Sequence, residues 1–91
     1  MLNKNIYNKV TEIENYLYVI EKYTGYSKKD ILKYLKNAPI NIKELSIFCS
    51  VYGKFPEKEE YIKIIKHREL QFVTISLKEF LYISKQNEFL I

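Results

Sequence analysis

Four polar side chains near the end of the chain have the types and spacing to contact DNA. They recur every three or four residues, so that an α-helix would place them on one stripe. The four residues are Arg68, Gln71, Thr74 and Lys78. Glutamine pairs with adenine, and arginine with guanine or a phosphate, because each side chain presents two suitably spaced polar atoms. The stripe is a candidate DNA-binding face, and the alternative is the solvated side of a surface helix.

Three lysines are candidates for phosphate contacts, which give affinity without sequence information. Lys63 and Lys66 precede the stripe, and Lys36 lies earlier in the chain. Arg68 is the only arginine among the 15 basic residues. Base reading relies on the planar, two-pronged guanidinium group, so one arginine is few for a sequence-specific DNA-binding protein.

Residues 57–84 are predicted to position these side chains as a helix-turn-helix. Two amphipathic segments meet at a short basic join, residues 66–69, which holds Arg68 and the only histidine, His67. Apolar residues repeat at helical spacing in both segments. They are Tyr61, Ile64 and Ile65 in the first segment, and Leu70, Val73, Leu77, Phe80 and Leu81 in the second. Two such helices around a short turn have the shape of a helix-turn-helix.

The second segment has two interpretations. We predict one helix over residues 69–84, because positions 70, 73, 77, 80, 81 and 84 share a face, and a tail over 85–91. The alternative is a short strand over 70–75, where β-propensity is high, followed by a helix that starts at a capping box formed by Ser76 and Glu79. No partner strand is evident elsewhere in the sequence, which favours the single helix.

Residues 5–23 are predicted to form a long amphipathic helix that ends at Gly25. Glycine adopts the left-handed backbone conformation of a helix end without a Cβ clash. The apolar stripe of this helix alternates steps of four and three residues: Ile6, Val10, Ile13, Leu17 and Ile20. The same spacing fits a coiled coil, but our prediction is packing within a small helical bundle.

Two further helices are predicted to start at Ser27 and Asn41, each with an acidic residue three positions later that completes a capping box. Residues 37–39 should end the first of them, because a residue before proline avoids the α region. Gly53 should end the second. The expected inward residues are Ile31, Leu32 and Leu35 in the first helix, and Leu45, Phe48, Cys49 and Tyr52 in the second.

The composition indicates one all-α domain over residues 1–91, a small bundle of about five helices. Two glycines and two prolines leave room for few tight turns, and 47% apolar residues are enough for a core. A single cysteine cannot form an internal disulfide, which favours a cytoplasmic location. The sequence contains no membrane span, metal-ligand cluster, cofactor motif or catalytic arrangement, so we expect a non-enzymatic protein with no cofactor, no metal and no membrane partner. A net charge of +4 is compatible with DNA or an acidic protein as partner.

Residues 18–83 resemble a diverged C-terminal, double-stranded-DNA-binding domain of the DnaA replication initiators. Three segments carry the resemblance: VIEKYTGYSKKDI at 19–31, ELSIFC at 44–49 and RELQFV at 68–73, the last where the recognition helix of the family opens. The resemblance implies a helix-turn-helix that binds duplex DNA in replication or transcription control. A small protein of this kind would suit a phage or a mobile element.

Departures from the DnaA pattern support a second hypothesis. The residues that read bases in the family are replaced at positions 69–72, and only Arg68 is retained. A small basic module, such as a phage-encoded inhibitor, would instead bind and modulate a protein target without reading DNA. Tyrosine is frequent in interface hot spots, and an exposed phenylalanine also favours a protein interface. The candidate interface residues are Tyr7, Tyr18, Tyr26 and Phe72.

Overall fold

Five α-helices form the regular structure of the part of the chain that the structure describes. A computed structural model describes residues 4–69 and 75–88, with side chains described over 8–69 and 75–86. The helices are α1 (Lys4–Thr24), α2 (Lys28–Asn37), α3 (Ile42–Tyr52), α4 (Lys58–Glu69) and α5 (Leu77–Glu88). The described ranges contain no β-strand, and none of their helices is both long and apolar enough to cross a membrane. The predicted all-α class with about five helices is confirmed.

Most helix ends lie at the residues that predicted them. The Ser27 hydroxyl accepts a hydrogen bond from the Asp30 amide at 3.3 Å and caps α2. Asn41 caps α3. Gly25 and Gly53 have φ angles of +78° and +70°, so both occupy the left-handed region at helix ends, where a side chain would be strained.

Helix α3 lies at the centre of the bundle, with α1 and α5 packed against it. Leu45 and Cys49 of α3 are fully buried, which confirms the prediction that Cys49 is a core residue. Every other helix and the α2–α3 link contribute to the same core. The remaining buried apolar residues are Leu17, Ile20, Ile31, Ile40, Phe48, Ile64 and Leu81.

An aromatic cluster joins the α1–α2 link to the α3–α4 link. The Phe55 ring lies 4.4 Å from that of Tyr26 and 4.6 Å from that of Tyr34, measured between centroids. The Tyr34 hydroxyl donates a hydrogen bond to the Pro56 carbonyl at 2.6 Å, and burial raises the pKa of Tyr34 to about 12. Ring contacts and one hydrogen bond therefore hold both links against α2.

The junction between the last two helices differs from the prediction. Residues 66–69, expected to form the turn, are helical and complete α4. Helix α5 begins at Leu77 rather than near residue 69, because the Ser76 hydroxyl accepts a hydrogen bond from the Glu79 amide at 3.2 Å and caps it. Residues 85–88 extend α5 instead of starting a tail. The alternative helix start is confirmed, whereas the strand predicted before it falls mainly on residues 70–74, outside the described ranges.

Among the side chains that the structure describes, three apolar residues expected in the core are exposed. Val10 and Ile13 are 50% and 45% exposed, and Leu32 is 54% exposed. Helix α1 has 21 residues and is about 31 Å long, whereas α3, with 11 residues, spans about 16 Å. Helix α3 therefore covers only the second half of α1, around the buried Leu17 and Ile20. On α2, the preceding isoleucine fills the inward position, and the rotation of about 100° per residue turns Leu32 outward.

Leu81 and Leu32 form a matched pair that tests this core. Leu81→Ala should lower the free energy of unfolding by about 2–5 kcal/mol, because it removes a fully buried side chain and leaves a cavity. Leu32→Ala should change it by less than about 0.5 kcal/mol, since most of that side chain is in water. Urea unfolding followed by circular dichroism measures both values. Equal losses would contradict the outward placement of Leu32.

Candidate interaction surface at the junction of α3, α4 and α5

A cleft of about 350 Å³ opens where α3 begins, α4 ends and α5 begins. The charged side chains of its described lining are Lys43, Glu44, Arg68 and Lys78. Three basic groups thus face one carboxylate, and the described lining carries a net positive charge. This is also the region in which the sequence places the DNA-binding face.

Arg68 is held by a two-point ion pair with Glu44. Its Nε and Nη2 atoms donate hydrogen bonds to the two carboxylate oxygens at 3.0 and 2.6 Å, and Nη2 also lies 3.3 Å from the Pro39 carbonyl oxygen. The hydrogen bond to Glu44 is the main cause that raises the pKa of Arg68. This side-on contact uses the Nε and Nη2 donors, so that edge of the guanidinium is directed at the protein rather than at a ligand.

Glu44 stabilises two parts of the fold with one carboxylate. It accepts a hydrogen bond from the Asn41 amide at 3.0 Å, while the Asn41 side chain accepts one from the Glu44 amide at 2.8 Å. This reciprocal pair is the capping box that starts α3. The Glu44 side chain is only 11% exposed. The end of α4 is thus attached to the first turn of α3 through a largely buried carboxylate.

His67 connects the end of α4 to the residues that precede α5. Its Nε2 atom lies 2.9 Å from the carbonyl oxygen of Ile75. A carbonyl only accepts hydrogen bonds, so Nε2 carries a proton. The imidazole also packs beside the Phe80 ring of α5, with 5.3 Å between ring centroids. His67 therefore bridges two helices from a position within α4, not from a turn.

The inner face of α5 is fixed to α3. The Tyr52 hydroxyl donates a hydrogen bond to the Leu81 carbonyl at 3.3 Å. The Lys85 ammonium donates one to the Val51 carbonyl at 3.0 Å and lies 5.5 Å from the centre of the Tyr52 ring. With this face engaged, the opposite face of α5 is turned to solvent.

The outer face of α5 carries apolar side chains next to a lysine. Tyr82 is 56% exposed and Ile83 is 48% exposed. With Lys78 and Glu79 they line a groove of about 280 Å³. Lys78 also lines the cleft, so that cleft and groove adjoin. The cleft and the groove together are called the α5 surface below.

The stripe predicted to read DNA is only partly described. Arg68 and Lys78 lie together in the lining of the cleft. Gln71 and Thr74 lie outside the described residues. Of the predicted polar stripe, the structure therefore describes only the first and last residues, and the first, Arg68, is ion-paired to Glu44.

The three lysines predicted to contact phosphates are placed differently from one another. Lys66 is exposed on α4. Lys63 is half-buried on the same helix and already interacts with another group of the protein. Lys36 is exposed on α2 and is not among the described residues that line the cleft.

The residues predicted for a protein interface also differ in their surroundings. Tyr18 is 64% exposed on α1. Tyr26 is 46% exposed, and one side of its ring is stacked on Phe55. The side chains of Tyr7 and Phe72 lie outside the described residues.

The described residues offer little for catalysis or metal binding at this surface. They contain no group of three His, Cys, Asp or Glu side chains placed to hold a metal ion. Burial raises the pKa of the Cys49 thiol to about 12, so the thiol stays protonated at neutral pH and is a poor nucleophile. The described lining of the α5 surface consists of charged, polar and apolar side chains.

Two features of the α5 surface were not predicted from the sequence. The outward placement of Tyr82 and Ile83 could have been predicted from helical periodicity. An inward face at positions 77, 80 and 81 turns positions 78, 79, 82 and 83 outward. The ion pair between Arg68 and Glu44 could not have been predicted, because the two residues are 24 positions apart and share no periodic pattern.

Comparison with known proteins gives no match: no protein-family model, no curated protein and no solved structure matches this chain. The resemblance to the DnaA DNA-binding domain stays a prediction that rests on its three sequence segments.

Removal of Arg68 tests the link between α3 and α4. Arg68→Ala should lower the free energy of unfolding by about 1–2 kcal/mol, because the largely buried Glu44 carboxylate loses its charged partner. Adding Glu44→Gln to that variant should recover part of the loss, since glutamine still completes the capping box without a charge. Lys66→Ala is the exposed control on α4 and should cost less than about 0.5 kcal/mol. Urea unfolding of these proteins that shows no coupling between positions 44 and 68 would contradict the ion pair.

Proposed function

We propose that this chain is a small protein-interaction module whose α5 surface binds an acidic, amphipathic segment of a partner protein. The proposal rests on the exposed Tyr82 and Ile83, which lie beside the positively charged lining of the adjoining cleft. An apolar groove next to a basic cleft complements a segment that combines apolar anchors with aspartate or glutamate.

The polar groups of the α5 surface favour a protein over a DNA groove. The guanidinium of Arg68, the only arginine of the chain, is already directed at Glu44, so it is not available for the two-point contact with a base edge on which sequence-specific DNA binding relies. Tyr82 and Ile83 supply apolar contact area, which protein interfaces use and base edges use far less. Tyrosine in particular is enriched among the residues that dominate binding energy.

The size of the α5 surface fits a few anchoring side chains. The cleft of about 350 Å³ and the groove of about 280 Å³ are at the small end of ligand pockets. A module of this kind would act by covering a functional surface of its target, as an inhibitor does. Because its single cysteine is a free thiol, we place this activity in the cytoplasm.

Selection from a displayed library of random peptides tests the chemistry of the partner. The wild-type protein should enrich peptides that carry aspartate or glutamate beside leucine, phenylalanine or tryptophan. The double variant Tyr82→Ala/Ile83→Ser should bind them at least about tenfold less tightly, because loss of a central anchor costs more than about 1.4 kcal/mol. Lys78→Glu should slow their association, since it reverses the charge between cleft and groove.

Tyr23→Ala is the matched control for this selection, because it removes a tyrosine of α1 that is 48% exposed. It should leave the affinity of the selected peptides unchanged in a fluorescence-polarisation titration. Enriched peptides without acidic residues, or binding that survives the substitutions at Tyr82 and Ile83, would contradict the proposal.

Duplex DNA is the second candidate ligand, and the lysines of this region favour it. In the part of the chain that the structure describes, Lys43, Lys66 and Lys78 have no carboxylate within ion-pair distance. Their ammonium groups are available to phosphates, which supply most of the affinity in non-specific DNA binding. A protein that used them in this way, with a DnaA-like order of helices, would act in replication or transcription control.

Fluorescence anisotropy with a labelled duplex measures DNA binding from about 50 to 200 mM salt. A DNA-binding protein should lose affinity steeply as salt rises, and Lys78→Ala should reduce the salt slope by about one. Glu79→Ala changes the neighbouring residue without removing a cation and should not weaken binding. A protein that fails to bind at about 50 mM salt is not a DNA-binding protein, and the protein partner then remains.

A further inference from the structure

The first half of α1 extends beyond the helical bundle. Residues 8–15 are all exposed, including Val10 at 50% and Ile13 at 45%. These two residues continue the stripe whose later members, Leu17 and Ile20, are buried on the side where α3 packs. The apolar stripe of α1 is therefore buried at Leu17 and Ile20 and exposed at Val10 and Ile13.

A second helix would stabilise this exposed segment. Helices shorter than about 12–15 residues are only marginally stable in water unless an apolar face is packed. The spacing of Val10, Ile13 and Leu17 is that of helices whose side chains fit into the grooves of a neighbour. The Tyr16 hydroxyl donates a hydrogen bond to Glu12 at 2.8 Å, which braces one flank of the helix.

The charges of the segment match a second copy of itself in the antiparallel direction. Lys9 comes first along the chain, and Glu12 and Glu14 follow. When two copies run antiparallel, the basic turn of each helix lies against the acidic turn of the other. A twofold axis across the middle of the segment makes this contact self-complementary.

The bundle itself opposes the parallel arrangement. Because α3 packs over Leu17 and Ile20, a parallel partner would bring a second α3 to the same level of the helix pair. Antiparallel copies instead place the two bundles at opposite ends. Residues 7–16 also contain one lysine and two glutamates, so they lack the strongly basic polar face with which amphipathic helices bind anionic membranes.

We propose that the protein forms an antiparallel homodimer through residues 7–16 of α1, with Val10 of one copy level with Ile13 of the other. The paired segments are about 15 Å long, which gives an interface smaller than those of most stable complexes. Dimerisation is therefore concentration-dependent, with a Kd in the range of about 10 µM to 1 mM. It is independent of the α5 surface, so substitution of Tyr82 and Ile83 leaves the dimer intact.

Sedimentation velocity from about 10 µM to 1 mM tests the dimer. Ile13→Asp should raise the Kd at least about 100-fold, because it places two unpaired carboxylates in the apolar seam. Leu32→Asp puts the same charge on a similarly exposed residue of α2 and should leave the Kd unchanged. Both positions are outside the core, and circular dichroism verifies that both variants fold. A monomer at about 1 mM, or a dimer that Ile13→Asp does not weaken, overturns the proposal.

A spin label at Lys22→Cys reports the orientation. In the antiparallel dimer the two labels are separated by about 30 Å along the helix pair, whereas parallel helices bring them to about 10–20 Å. Labelling is selective, because the native Cys49 thiol is buried and its pKa is raised to about 12. Pulsed electron paramagnetic resonance measures the distance, and the shorter one overturns the antiparallel arrangement.

Charge reversal distinguishes a second copy from a membrane surface. Lys9→Glu should weaken the dimer, and mixing it with Glu12→Lys protein should restore association. Vesicles of phosphatidylserine and phosphatidylcholine should not co-sediment with the wild-type protein. Vesicle binding that Ile13→Asp abolishes would overturn the proposal in favour of a lipid partner.

Discussion

The burial of α3 is the constraint on which the rest of the structure depends. A chain of 91 residues buries only a small core, and this core surrounds one helix of 11 residues. The first turn of such a helix has polar backbone groups that need partners inside the protein. The capping box of Asn41 and Glu44 supplies them at the start, and Gly53 ends the helix in a left-handed turn. The central element of the fold therefore begins and ends at strong local sequence signals.

The short length of α3 also determines which apolar surface stays in water. Helix α3 reaches Leu17 and Ile20 of α1, but it does not reach Val10 and Ile13. It holds the inner face of α5 through Leu81, which leaves the opposite face of α5 uncovered. Both exposed apolar surfaces thus have one cause: a central helix too short to cover its neighbours. They lie on different helices, so they are able to serve different partners.

Features of the fold that depend on short-range interactions could be predicted from the sequence, whereas features that depend on contacts between distant residues could not. Capping boxes and helix-ending glycines act within a few residues, and they gave correct starts for α2 and α3 and correct ends for α1 and α3. Residues 66–69 were predicted as a turn because they are polar. They stay helical because Arg68 forms an ion pair with Glu44 and His67 donates a hydrogen bond to the Ile75 carbonyl. No local sequence pattern predicts either partner. The apolar stripe of α1 was identified, but its periodicity does not tell how far along the helix a neighbour reaches.

The free energy needed to make each side chain available for binding differs between Arg68 and the apolar residues of the α5 surface. For Arg68 to contact a base or a phosphate, it must leave Glu44, whose carboxylate is 11% exposed. Losing that partner costs about 1–2 kcal/mol, which is roughly a tenfold loss of affinity before any new contact forms. Tyr82 and Ile83 have no such cost, because they lie in water and gain about 25 cal/mol for each Å² of apolar area that a partner covers. The α5 surface thus has its one arginine already paired and its apolar side chains exposed, and this difference is the energetic basis on which we propose a protein partner.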